Sequence, residues 1–207
     1  MTPGDAALRT PPPKTMSDTT FTSDVAFTPT VKLIQARKGS RAAYERMERG
    51  ACWRRAISPD LAAFVARQTS FFIATANPAG QPYIQHRGGP PGFLKVIDHR
   101  TLGFADFRGN RQFITQGNLA DNPRTMLFLV DYDARQRIKI WGAARVVEND
   151  PALITRLMPA DYRATAEAAI LVDVAAWDAN CPSHIPRLVP AASPSPMVTC
   201  ERAPRRS

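Results

Sequence analysis

Two short stretches hold the residues with the most chemical reach. Gln85-His86-Arg87-Gly88-Gly89 runs into Pro90-Pro91-Gly92, and Gly109-Asn110-Arg111-Gln112 follows the last of three closely spaced extended runs. Glycines that bare backbone N–H groups beside guanidinium groups suit a phosphorylated ligand. A phosphate monoester carries close to two negative charges, and Arg111 offers it a bidentate pair of donors. A helix is expected over residues 110–119, so Arg111 stands in its first turn, where free N–H groups and the helix dipole favour an anion. Gly109 lets the backbone approach, Asn110 and Gln112 add polar contacts, and Asp106 closes the strand just before the loop. Charge-assisted hydrogen bonds contribute roughly 1.5–3 kcal/mol each, so two or three anchor a phosphate.

A flat polar ring asks for something else: N–H donors at its edges and apolar walls at its faces. Gln85, His86, Arg87 and the amides of Gly88 and Gly89 are the donors on offer. Lys95 stands between Leu94 and Val96, a charge in an apolar strand, where it can stabilise an anionic ring. Each residue also has a plain structural reading. Arg87 can end a surface strand, Gly88 to Gly92 can be a hairpin connection, and Lys95 can snorkel from an edge strand. Gly109 to Arg111 can be an ordinary strand-to-helix junction, and Trp141 can pack a core or a dimer contact.

Other chemistries are removed by pattern. No G-x-G-x-x-G, Walker loop, H-E-x-x-H or G-x-S-x-G occurs. His86, His99 and His184 form no ligand pattern with Cys52, Cys181 and Cys200, and Cys181 with His184 supplies two ligands where a structural zinc needs four. No metal site is expected, and no catalytic acid, base or nucleophile is assigned. The net charge of +9 comes from arginines scattered along the chain rather than in a block, so no nucleic-acid partner is expected. No apolar run is long enough to span a bilayer and no secretory signal is visible, which makes the cytoplasm the expected compartment.

The elements that must position these residues follow from periodicity. Residues 1–30 and 189–207 are rich in Pro, Thr and Ser and are expected to be disordered tails around one domain over 31–188. Helices are expected over 40–50 and 58–68, the second with Ser58 as cap and Pro59 after it. Strands are expected over 71–76, 82–87, 93–98, 101–106, 124–132 and 137–148, with Gly142 as a bulge in the last. Asp150-Pro151 opens a helix expected to run to residue 169, and 169–175 forms a closing strand. Strands that follow one another with tight turns, and few helices between them, describe a mainly β fold: a small antiparallel barrel of six or seven strands with peripheral helices.

The runs FFIATANPAGQPYIQHRGGPPGFLKVID, TLGFADFRGNRQ, GNLADNPRTMLFLVDY, RIKIWGAARVV and WDANCPSHIP together resemble a branch of the pyridoxamine 5'-phosphate oxidase-related flavoproteins. The resemblance implies a split barrel that dimerises, with two FMN sites at the subunit interface. It further implies that Lys95 contacts the flavin, that Gly109-Asn110-Arg111-Gln112 is the phosphate loop, and that Arg137 and Trp141 reach the partner's flavin. Two departures point away from the oxidase itself: Pro90 stands where its family members carry an arginine, and WDANCPSHIP replaces a Trp–Arg substrate clamp. The expected function is therefore an FMN-binding homodimer, an oxidoreductase on an unidentified small substrate. The alternatives are a flavin carrier or sensor, or a barrel that binds haem or a deazaflavin.

Overall fold

The computed structural model describes residues 21–50, 53–180 and 183–188. Seven strands form one sheet, curled into a half-barrel: β1 (Ser70–Ala76), β2 (Pro82–Gly88), β3 (Leu94–Val96), β4 (Thr101–Phe107), β5 (Arg124–Asp131), β6 (Gln136–Val147) and β7 (Ala166–Asn180). Their order is β2-β1-β5-β6-β7-β4-β3, and every neighbouring pair is antiparallel. The mainly β antiparallel barrel expected from the strand pattern is the fold observed, in the split form that the resemblance implies.

Alternation decides the faces. In β1, Phe71, Ile73 and Thr75 are buried while Phe72, Ala74 and Ala76 turn outward. Leu127 and Leu129 of β5, Ile138 and Ile140 of β6, Leu102 and Phe104 of β4, and Ile170 and Val172 of β7 join them in one inner core. The core is closed by α3 (Pro59–Ala66), whose Leu61, Phe64 and Val65 face it. Ser58 Oγ accepts the Leu61 N–H at 3.2 Å and Pro59 opens the first turn, as the cap pattern requires. β4 is buried on both faces, because Ala105 also packs beneath α5 (Pro151–Leu157) with Leu157, Ala169 and Leu171. The bulge expected at Gly142 lies instead on the strand opposite: Trp141 pairs with Ala176 and Gly142 with Val174, which leaves Ala175 of β7 as the extra residue, and a Cβ on Gly142 would lie 2.3 Å from the Asp173 carbonyl oxygen.

Several expected boundaries are corrected. The helix capped by Asp150 stops at Leu157 rather than 169, since Met158 precedes Pro159 and takes an extended conformation (φ −59°, ψ 135°). The chain freed by that early stop extends β7 to Ala166–Asn180, so the WDAN segment lies in a strand and Ile140 pairs with Trp177. The helix expected over 110–119 is α4 (Ile114–Asp121), because Arg111 and Phe113 adopt left-handed φ of 59° and 55° and hold back its start. Residues 21–30, placed in a tail by composition, carry a 3-10 turn (Thr22–Val25) and the start of α1 (Pro29–Arg37). Buried Glu48 of α2 (Arg41–Arg49) accepts hydrogen bonds from Ser23 and Arg41, a polar tie that hydropathy does not register. Residues 1–20 and 189–207, and with them Cys200, lie outside the described residues, as do Cys52 and Cys181.

Candidate functional site

The inner face of β2 and the exit of β4 build one open cleft. On β2, Tyr83, Gln85 and Arg87 oppose Thr75, Ile73 and Phe71 and so share the core-facing side. The loop after β4 wraps back over them and α4 forms the far wall. The cleft has a volume of about 240 Å³. Gln85, Arg87, Asp106, Gly109, Asn110, Arg111 and Gln112 all line it, and they come from two separate stretches of the sequence.

Its floor is a hydrogen-bonded network. Asp106 accepts from Arg87 through one oxygen and from Gln116 Nε2 at 3.0 Å through the other. Arg87 and Asp106 side chains are only 13% and 9% exposed, so this pair is largely withdrawn from water. Arg87 also lies over the Phe104 ring, 5.7 Å from its centre, and its Nε is buried without a partner among the described residues. Thr115 Oγ1 donates to Gln85 Oε1 at 2.6 Å and Asn118 Nδ2 to Thr75 Oγ1 at 3.0 Å, which pins α4 against β1 and β2. The rim is looser. Asn110 Oδ1 accepts the Gln112 N–H at 3.2 Å, and Arg108 Nε donates to Glu167 Oε1 at 2.9 Å, with Arg111 Nε 3.5 Å from the same oxygen. Phe113 and Ile114, 45% and 40% exposed, give the cleft an apolar wall.

Lys95 and His86 lie outside this cleft, and so do Arg137 and Trp141, which were expected at the partner's flavin. Lys95 Nζ donates to the carbonyls of Arg156 and Met158 at 3.0 and 3.1 Å, so it caps the C-terminus of α5 on the far side of β3. His86 is out of phase with Gln85 and Arg87 and faces outward against Phe72, their rings 5.5 Å apart. Arg137 and Trp141 lie on β6 with the outward-turned residues, and Trp141 stacks on Trp53 at 4.9 Å. The glycine crossing is not a ring cradle either. Gly88 pairs with Ser70, the Gly89 N–H is spent on the Thr69 carbonyl at 3.0 Å, and a Cβ on Gly89 would sit 2.7 Å from the Phe93 ring.

The structure adds Tyr83, Phe107, Phe113, Ile114, Thr115, Gln116 and Glu167 to the lining. Tyr83 carried a usable signal, since it alternates in step with Gln85 and Arg87. Glu167 carried none while residues 151–169 read as helix. Among the described residues no group of three or more His, Cys, Asp or Glu side chains is arranged to hold a metal, and no helix is long and apolar enough to cross a membrane.

Residues 57–190 match the family model described as pyridoxamine 5'-phosphate oxidase. No curated protein matches the chain in sequence. Among solved structures, HupZ of Group A Streptococcus is 18% identical with a TM-score of 0.47, over 57% of this chain and 89% of its own. An FMN-binding protein from Syntrophomonas wolfei is 13% identical with a TM-score of 0.47, over 71% of this chain and 95% of its own. HutZ, the heme storage protein from Vibrio cholerae, is 13% identical with a TM-score of 0.38, over 57% and 90%.

Proposed function

The chain belongs to the pyridoxamine 5'-phosphate oxidase family, and on that premise we propose that its cleft binds flavin mononucleotide and that the protein is an FMN-dependent oxidoreductase acting on a small molecule. The observation that carries this reading is convergence: Gln85, Arg87 and Asp106 meet Gly109, Asn110, Arg111 and Gln112 around one cavity. The donor set fits the ligand. Arg111 stands at the rim with its side chain 55% exposed, so it can turn from Glu167 to meet a phosphate as a planar fork. A Cβ on Gly109 would meet nothing within 4 Å, so the loop leaves room beside its backbone. Gln85 and the partnerless Nε of Arg87 are donors for a ring edge, and Phe113 with Ile114 offers a ring face its apolar wall. Bound there, FMN would supply hydride and electron transfer, while the chain supplies position and electrostatics.

A homodimer completes the proposal. The outward face of the β2-β1-β5-β6 half carries Ile84, Phe72, Ala74, Met126, Phe128 and Trp141 in adjacent register. Ile84 is 65% and Phe72 37% exposed, an apolar surface that a second copy would cover. Arg137 and Trp141 lie on that face, as do Lys139 and His86, where they would meet the partner subunit rather than their own cleft.

The test of the site is Arg111→Ala. Flavin fluorescence titration should show FMN binding weakened by about tenfold, the lower end of a charge-assisted contact for a side chain this exposed, and riboflavin binding unchanged. Equal FMN affinity in the variant would remove the loop from the phosphate site.

A further inference from the structure

We propose that Glu167 is a built-in competitor for the ligand's phosphate, and that it sets how strongly the cleft prefers FMN over unphosphorylated riboflavin. The proposal rests on the reading of this cleft as an FMN site. β4 and β7 stay in register from Thr101↔Asp173 to Asp106↔Ala168, but Phe107 then pairs with Ala166. Glu167 is the residue left over. A bulge of this kind re-aims the side chain of its extra residue, and here the carboxylate lines the cleft beside the loop.

One Glu167 oxygen takes the Arg108 Nε at 2.9 Å and lies 3.5 Å from the Arg111 Nε. A carboxylate oxygen set between two guanidinium groups occupies the kind of position that a phosphate oxygen takes. With Glu167 in place the trio carries a net charge of about +1, and with glutamine there it would carry about +2 by simple count. The exposures also differ. Arg108 and Arg111 side chains are 57% and 55% exposed, whereas Glu167 is 24% exposed and its backbone belongs to a central strand. The arginines can therefore turn towards a ligand, and the carboxylate stays behind as a nearby like charge to the phosphate. An exposed ion pair adds little to folding, so its effect falls on binding. A phosphate must draw the arginines away from Glu167, while a ligand without phosphate leaves the trio undisturbed.

The test titrates FMN and riboflavin in parallel, at low salt, into apo-protein of the natural sequence and of Glu167→Gln, Arg111→Ala and the double variant. Glu167→Gln should tighten FMN binding by about fivefold, the scale of one exposed ion pair, and leave riboflavin unchanged. The gain should shrink at high salt and shrink again in the Arg111→Ala background, where only Arg108 and the like charge of Glu167 still act on the phosphate. FMN affinity that is unchanged or lower in Glu167→Gln, or an equal gain for both flavins, overturns the proposal. If Arg111→Ala weakens FMN while Glu167→Gln does not strengthen it, the role of Glu167 alone is lost. If FMN binds and Arg111→Ala leaves it untouched, the phosphate-loop reading has failed and this proposal falls with it.

Discussion

At the residue scale, the cleft is governed by a buried ion pair and a rim trio that do different work. Arg87 and Asp106 are sunk in the floor, at 13% and 9% exposure, and pair with each other where little water reaches. Removing one partner from such a pair strands the other charge, which costs about 3–5 kcal/mol. Asp106→Ala should accordingly lower the unfolding free energy by about 3 kcal/mol in a denaturant titration, because Arg87 then keeps no acceptor and Gln116 loses one. An effect near zero would mean that Arg87 turns out to solvent at no cost. Arg108, Arg111 and Glu167 stand at the rim in contact with water, so substitutions there should act on ligand affinity and leave stability within about 0.5 kcal/mol. The contrast separates residues that build the cleft from residues that use it.

At the element scale, the cleft exists because particular strands end or bend where they do. β7 bulges at Ala175 opposite Gly142, and there the Asp173 carbonyl occupies the space that any Cβ on Gly142 would need. Gly142→Ala should lower stability by about 3 kcal/mol in thermal unfolding, with the sheet forced apart at its most contacted pair of strands; a variant as stable as the parent would show that the bulge can relax. Much of this level was legible in the residues. Ser58-Pro59 and Asp150-Pro151 announce helix starts by capping chemistry, and short apolar or alternating runs between turn residues mark where strands lie. What escaped reading was local backbone conformation. Arg111 and Phe113 are left-handed without being glycine, so nothing in their types delays α4 to Ile114. Pro159 was the available sign that α5 stops at Leu157, and missing it hid both the length of β7 and the presence of Glu167 in the cleft. Lys95 shows the same limit: its isolation between apolar neighbours is real, but only the fold reveals that the C-terminal carbonyls of α5 are what it answers.

At the scale of the whole molecule, the two faces of the sheet have different partners. The inner face closes on α3 and its own aromatic core, with Phe71 against Phe93 and Phe104. The outer face leaves Ile84 and Phe72 in water, which the proposed second copy would relieve. Ile84→Lys should shift the protein from dimer to monomer in sedimentation equilibrium without unfolding it, since this side chain supports nothing in its own subunit; a dimer that persists would move the interface elsewhere. The central claim is tested most directly by titrating the purified protein, stripped of any bound chromophore, with FMN while following flavin fluorescence. The account predicts quenching that saturates at one FMN per chain. No quenching at any concentration, with haem giving a Soret band on the same protein, would contradict it.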